Sequence, residues 1–469
     1  MSTAEALAER GTAWLIKRLQ QRVPYDTENP FLRGALAPVN VESTVTDLKV
    51  TGKIPKELNG LLARIGPNPL NVPNPAAYHW FLGDGMVHGL RLRDGKAQWY
   101  RNRWVGVDGV NKALGRPKAP GPRRGAIEVV NTNIVGHAGR LWALVEAGAL
   151  PVEMDGELNT VKHGLFDSTV RAAFSAHPHL DPDTGHLHAV CYDPLYQNRV
   201  QHVVIDAAGQ VARQVNVPVS HGPMIHDCAI TQSQVVILDL PVTFSVKSML
   251  QGSGLPYAWN PKHQARVGLL PKQGGAEEVR WFSVDPCYVF HPCNAYDLPD
   301  GSAILDVVVH ERMFDRSLHG PESQKVTFER WKLDNATRRV QRTVLSERGQ
   351  EFPRFDERLT GKPYRFAYSA GIDIDNQLPQ PLIRHDLQTG AVDFHHYGPS
   401  HATGEVVFVP RTAHSAENDG WLLSYVYDLA RARSQVVIVN AGDLGGEPQA
   451  VIELGVRVPM GFHGNWIPD

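Results

Sequence analysis

Short apolar runs of β type, separated by chain-reversal signals, recur along most of the 469 residues, and this pattern restricts the fold more than any other feature. The runs include LWALVEAG (141–148), HLHAVCYD (186–193), QVVILDL (234–240), SAILDVVV (302–309), EVVFVP (405–410), WLLSYVYDL (421–429) and QVVIVNAG (435–442). Between them lie RDGK (93–96), DPDTG (181–185), DAAG (206–209), LPDG (298–301), DNAT (334–337) and DLQTG (386–390). Asp, Asn and Gly at such points supply local hydrogen bonds and positive φ where neighbouring strands reverse. Helices do not alternate with the runs, so a parallel α/β sheet is disfavoured. An all-β array of sheets closed on itself, as in a β-propeller, fits better. The 42 glycines and 34 prolines agree with a chain rich in turns. No clean repeat of 40–50 residues is visible, so periodicity alone does not establish the propeller.

Thr3–Val23 reads as an amphipathic helix, because Leu15, Leu19 and Val23 recur at helical spacing beside Trp14, Ile16, Lys17, Arg18 and Arg22. It suits a docking helix or a membrane-surface helix. We expect residues 1–28 to form an N-terminal arm and 29–469 a single domain. The stretches 111–125 and 250–264 read as long loops within that domain.

Basic and acidic residues nearly cancel, 47 against 49, so no overall positive field recruits nucleic acid. The four cysteines have no C-x-x-C spacing and are too few to staple a chain of this length, which fits a reducing cytoplasm. The longest apolar run, near 234–244, is broken by Asp239 and Pro241 and is too short to cross a bilayer. The N-terminus lacks the pattern of a signal peptide.

Among chemical signals, no G-x-S-x-G, Walker loop or H-E-x-x-H occurs. Histidine stands out, with 21 copies. Four lie in unusual settings: His177 in FSAHPHLDPDTG, His226 in GPMIHDCAIT, His291 in YVFHPCNAYDLPDG and His463 in VPMGFHGNWIPD. A Gly-flanked His so near the last residue implies that this terminus is held down. Separations of 49, 65 and 172 residues exclude a local metal finger but suit strands that converge on an axis.

With those motifs stand NGLLARIGPNP (59–69), HWFLGDGMVHG (79–89), EFPRFDERLTGKPYRFAY (351–368), EVVFVPR (405–411) and GFHGNW (461–466). Taken in order from about Asn29 through His463, the chain resembles the carotenoid cleavage oxygenases, and in particular the bacterial carotenoid and apocarotenoid dioxygenases. The resemblance implies a seven-bladed β-propeller, a non-haem iron(II) on its axis and a dome of helices and loops enclosing an apolar tunnel. It assigns His177, His226, His291 and His463 as metal ligands, and Glu146, Glu351 and Glu405 as carboxylates that accept a hydrogen bond from ligating histidines. Four neutral imidazoles suit iron and leave open positions for O2 or substrate, whereas catalytic zinc usually takes three protein ligands. Thr132, Met224 and Phe290 are expected to line the tunnel near the metal.

Position 145 bears on substrate. Relatives that cleave stilbenes or phenylpropenes place a Lys immediately before the corresponding Glu, and this chain has Val145, which favours a polyene. The implied activity is cleavage of a C=C bond by O2 into two carbonyl products, with no acid–base residue required. Rival readings are a stilbene- or phenylpropene-cleaving oxygenase, a retinoid isomerohydrolase, and a non-catalytic propeller that binds an apolar ligand. Because such a substrate resides in lipid, residues 243–259, like the N-terminal helix, are candidates for peripheral membrane contact, the alternative being a buried dome element.

Overall fold

The computed structural model describes residues 3–125, 127–169, 173–317, 320–322, 325–373 and 378–469. Every β run singled out above forms a strand, for example Arg140–Leu144, Gln234–Asp239, Ala303–His310 and Gly420–Asp428. The reversals behave as their residues require. Asp94 and Gly95 both take positive φ, 51° and 72°, in the hairpin that joins Gly85–Arg93 to Lys96–Trp104.

The strands form antiparallel meanders in a propeller-like, all-β arrangement. One strand at the edge of each meander faces the centre: β1 (Asn133–His137), β2 (His179–Leu180), β3 (Ala229–Ile230), β4 (Pro292–Asp297), β5 (Gln350–Arg354), β6 (His401–Pro410) and β7 (Gly464–Pro468). β3 lies against β4, β4 against β5, β5 against β6, β6 against β7 and β7 against β1, so these strands line an axis.

The sheets depart from the expected seven separate blades. Among the described residues five sheets of four or five strands stand alone, and one sheet has eight strands. The latter consists of two four-stranded meanders fused at their outer edges by a single parallel pair, Ser283 with Arg339, reinforced by Ser283 N donating to Arg338 O at 3.0 Å. A further two-stranded ribbon pairs Val242–Phe244 with Tyr257–Trp259.

Packing explains why the strands read as continuous apolar runs. Gly60–Pro67 is buried at every residue, and its alternate side chains serve two different cores. Leu62 joins Trp421, Leu423 and Ile452, while Leu61 and Ile65 join Ile134, Leu141 and Val152. Leu141 and Ala143 likewise face one neighbour and Trp142 and Leu144 the next. Each sheet is thus sandwiched between two others, and each fully buried aliphatic side chain contributes roughly 1.5–3 kcal/mol.

Two crossed pairings shut the ring. Lys49–Gly52 from the N-terminal region completes the sheet of Ala450–Glu453, and β7 from the C-terminal region pairs with Gly60–Pro67. The approach depends on glycine: a Cβ on Gly66 would lie 2.5 Å from the Cα of Gly461. The N-terminal helix Thr3–Gln20, in which Ile16 and Leu19 are buried, packs against the short helix Val246–Leu250. Among the described residues no helix is long and apolar enough to cross a membrane.

Candidate metal centre

The four histidines sit at the entrances of axial strands. His291 immediately precedes β4 and His463 immediately precedes β7, while His177 and His226 stand two and three residues before β2 and β3. An edge strand that turns in toward the axis delivers its first residues there, which explains how such distant segments meet. All four are buried, and one ligand atom from each lies within 4.8 Å of the others. The ring centroid of His177 is 4.5 Å from that of His226, 5.2 Å from His291 and 4.4 Å from His463.

Three imidazoles are held alike. His226 Nδ1 donates to Glu146 Oε1 at 2.9 Å, His291 Nδ1 to Glu351 Oε2 at 2.7 Å and His463 Nδ1 to Glu405 Oε1 at 2.9 Å. Each bond places the proton on Nδ1 and leaves the Nε2 lone pair for the centre. The Nε2 atoms of His226 and His291 are 3.2 Å apart, close to the ~3 Å between adjacent ligands when metal–nitrogen bonds are ~2.1 Å. His177 Nε2 is buried without any protein partner, as a nitrogen awaiting a metal would be. The donor set therefore fits a first-row transition metal.

The electrostatics of His177 and His463 agree. Burial, reinforced by the other histidines, holds His177 well below the usual imidazole range, so it is neutral and able to ligate. Burial also lowers His463, against the opposing pull of Glu405. His291 is raised instead, because the Coulomb field and hydrogen bond of Glu351 outweigh burial. Burial opposes ionisation of Glu351 and Glu405, yet both are held below the usual carboxylate range. Glu351 is lowered by His291 and His310, and Glu405 falls to about 2 beside Arg354 and His463.

Sequence reasoning missed the partners of these carboxylates. His310 Nε2 donates to Glu351 Oε1 at 2.6 Å, and Arg354 Nη1 lies 3.1 Å from Glu405 Oε1. Arg354 stands in the motif that contains Glu351, which was a usable signal. His310 ends an ordinary buried strand and offered none.

A cavity of about 510 Å³ opens at the centre. His226, His291 and His463 form its floor, with Thr132, Val145 and Phe290 in its wall beside Phe81, Trp80 and Phe462. Met224 does not line it. Its side chain is 1 % exposed and packs into the core between sheets, while its carbonyl accepts from Tyr288 Oη at 3.1 Å. A separate cavity of about 920 Å³, lined by polar and apolar residues, reaches His177, His291 and His463.

Residues 36–468 match the family model described as retinal pigment epithelial membrane protein. The carotenoid cleavage oxygenase of Mycobacterium tuberculosis is 44% identical over 94% of this chain and 98% of its own length. The chain belongs to the carotenoid cleavage oxygenase family. The carotenoid 9,10(9',10')-cleavage dioxygenase 1 of Phaseolus vulgaris, another member, is 31% identical over 97% of this chain and 93% of its own. Among solved structures, lignostilbene dioxygenase of Pseudomonas brassicacearum superposes with a TM-score of 0.85 at 28% identity, covering 95% of this chain and all of that one. The chain is thus an enzyme of a dioxygenase family, with a buried four-histidine group suited to a metal.

Proposed function

We propose that the chain is an iron(II)-dependent dioxygenase that cleaves a C=C bond of a carotenoid or apocarotenoid. The observation that carries this reading is the meeting of four buried histidines, three of which are backed by glutamates and also form the floor of an apolar cavity. His177, His226, His291 and His463 would hold the iron, which supplies O2 activation when bound. In the overall reaction the C=C and O–O bonds break and two C=O bonds form, so no external reductant is needed. The apolar wall, including Val145, Phe290 and Phe81, orients a polyene and keeps bulk water from the reacting carbons. Glu146, Glu351 and Glu405 retain the histidine protons at Nδ1 and return negative charge to a neutral ligand set. Thr132 borders the floor, where it restricts approach to the centre.

A stilbene- or phenylpropene-cleaving oxygenase is the second reading, favoured by the likeness to the lignostilbene dioxygenase. Val145 weighs against it, since no Lys stands there to receive a phenolic oxygen. Nothing in the site specifically favours a retinoid isomerohydrolase or a non-catalytic propeller. In this reading the eight-stranded sheet counts as two blades, which gives a propeller of seven around residues 29–469. The enzyme acts from the cytoplasm on lipid-borne substrate. Trp14, Val246 and Leu250 are 61%, 56% and 61% exposed, and Leu15, Ile16 and Met249 of the same two helices line the cavity. Lys17, Arg18 and Lys247 lie beside them, so both helices suit a membrane surface.

The test is anaerobic reconstitution with ferrous iron, followed by incubation in air with carotenoids, apocarotenals and stilbenes. One iron per chain and two carbonyl products from a polyene are expected. Stoichiometric zinc with no activity restored by iron would overturn the assignment, and faster cleavage of a hydroxystilbene would move it to the second reading.

A further inference from the structure

The histidine without a glutamate has its own acidic neighbour. His177 Nε2 is the buried nitrogen without a protein partner, so Nδ1 is the outer nitrogen, and Asp227 Oδ2 lies 3.6 Å from it. Asp227 directly follows the ligand His226, so the segment that delivers one histidine to the axis also delivers an acid to its neighbour. The acid is itself clamped. Its Oδ1 accepts from His179 Nε2 at 2.8 Å and from the backbone N of Cys228 at 2.6 Å. His177 and His179 are two residues apart in extended chain, which puts their side chains on one face and brackets the same carboxylate. The pairing of H-P-H with H-D thereby ties the start of β2 to the segment that enters β3. Asp227 is buried at 4 % exposure, and with His177 and His179 it borders the cavity of about 920 Å³ rather than the apolar one beneath Val145 and Phe290.

We propose that Asp227 is the positioning carboxylate of His177, doing for this ligand what the glutamates do for the other three, and that His179 holds it in place. This rests on the iron-site reading above. At 3.6 Å the contact exceeds a hydrogen bond, so Asp227 acts on the imidazole mainly through its charge, and its effect falls at the lower end of the range for carboxylates behind a metal ligand. His177 is therefore the least firmly oriented of the four ligands.

The experiment measures iron affinity of the full chain by competition with a chelator, and the absorption spectrum of the cobalt(II)-loaded protein, for Asp227→Asn, Asp227→Glu and His179→Gln. Asp227→Asn is expected to weaken iron binding about tenfold and to change the cobalt spectrum, with the Tm of the metal-free protein unchanged. Asp227→Glu should restore affinity, and His179→Gln should give a smaller loss in the same direction. Iron affinity and cobalt spectrum of Asp227→Asn equal to those of the unmodified protein would overturn the proposal. A fall in metal-free Tm with an unchanged spectrum would also overturn it, leaving Asp227 as a structural acceptor for His179. If the unmodified protein binds no iron, the failure lies with the functional reading; if it binds iron and Asp227→Asn binds it equally well, only this inference fails.

Discussion

Glu351 holds two imidazoles at once, accepting from His291 with one oxygen and His310 with the other. Replacement by Gln keeps the shape, removes the charge and turns one acceptor into a donor that faces another N–H. Glu351→Gln is therefore expected to reduce iron retention or turnover by roughly 10–100-fold, read from chelator competition and initial rates. His226→Ala and His291→Ala should abolish turnover and lower iron content while leaving circular dichroism unchanged, because each ligand's backbone is fixed by its strand rather than by the metal. The meeting of four histidines, three of them hydrogen-bonded to glutamates, was legible in the sequence because each residue lies inside a distinctive motif. His310 and Asp227 were not, since their importance arises only from contacts between strands that are distant in the chain. Met224 was misjudged for a related reason: its position two residues before a ligand gives proximity in sequence, whereas the turn into β3 sends its side chain into the core.

Strands and reversals were legible because period, turn residues and apolar content agree at each of them. Fusion of two meanders through Ser283 and Arg339 was not, because a single edge pair leaves no pattern in composition or spacing. Close approach of the segments around Gly66 and Gly461 was equally hidden, as glycine has many uses. It is nevertheless a sharp constraint, because the atom that a new Cβ would meet is backbone and cannot rotate away. Gly66→Ala is expected to destabilise the protein by about 1–3 kcal/mol, measured by urea denaturation. Iron content should fall as well, since the displaced segment leads directly into His463.

For the molecule as a whole, substrate class follows from the walls of the cavity rather than from its floor. A phenol buried beside Val145 loses a hydrogen-bond partner, which costs about 1–3 kcal/mol, and a polyene has no such group near its scissile bond. Competition between a carotenoid and a hydroxystilbene should favour the carotenoid, and Val145→Lys should narrow that preference. The crossed pairings at the seam have a different consequence. An open stack of repeats frays from its ends, so amide exchange is fastest there and slows toward the middle. Here Lys49–Gly52, near the N-terminus, is stitched into a sheet formed by the C-terminal end of the chain, and β7, the last strand, into a sheet formed by the N-terminal end. Deuterium uptake should therefore show no gradient along the sequence: paired amides of β7 should exchange as slowly as those of Gly420–Asp428, and release their protons only when the whole circle opens.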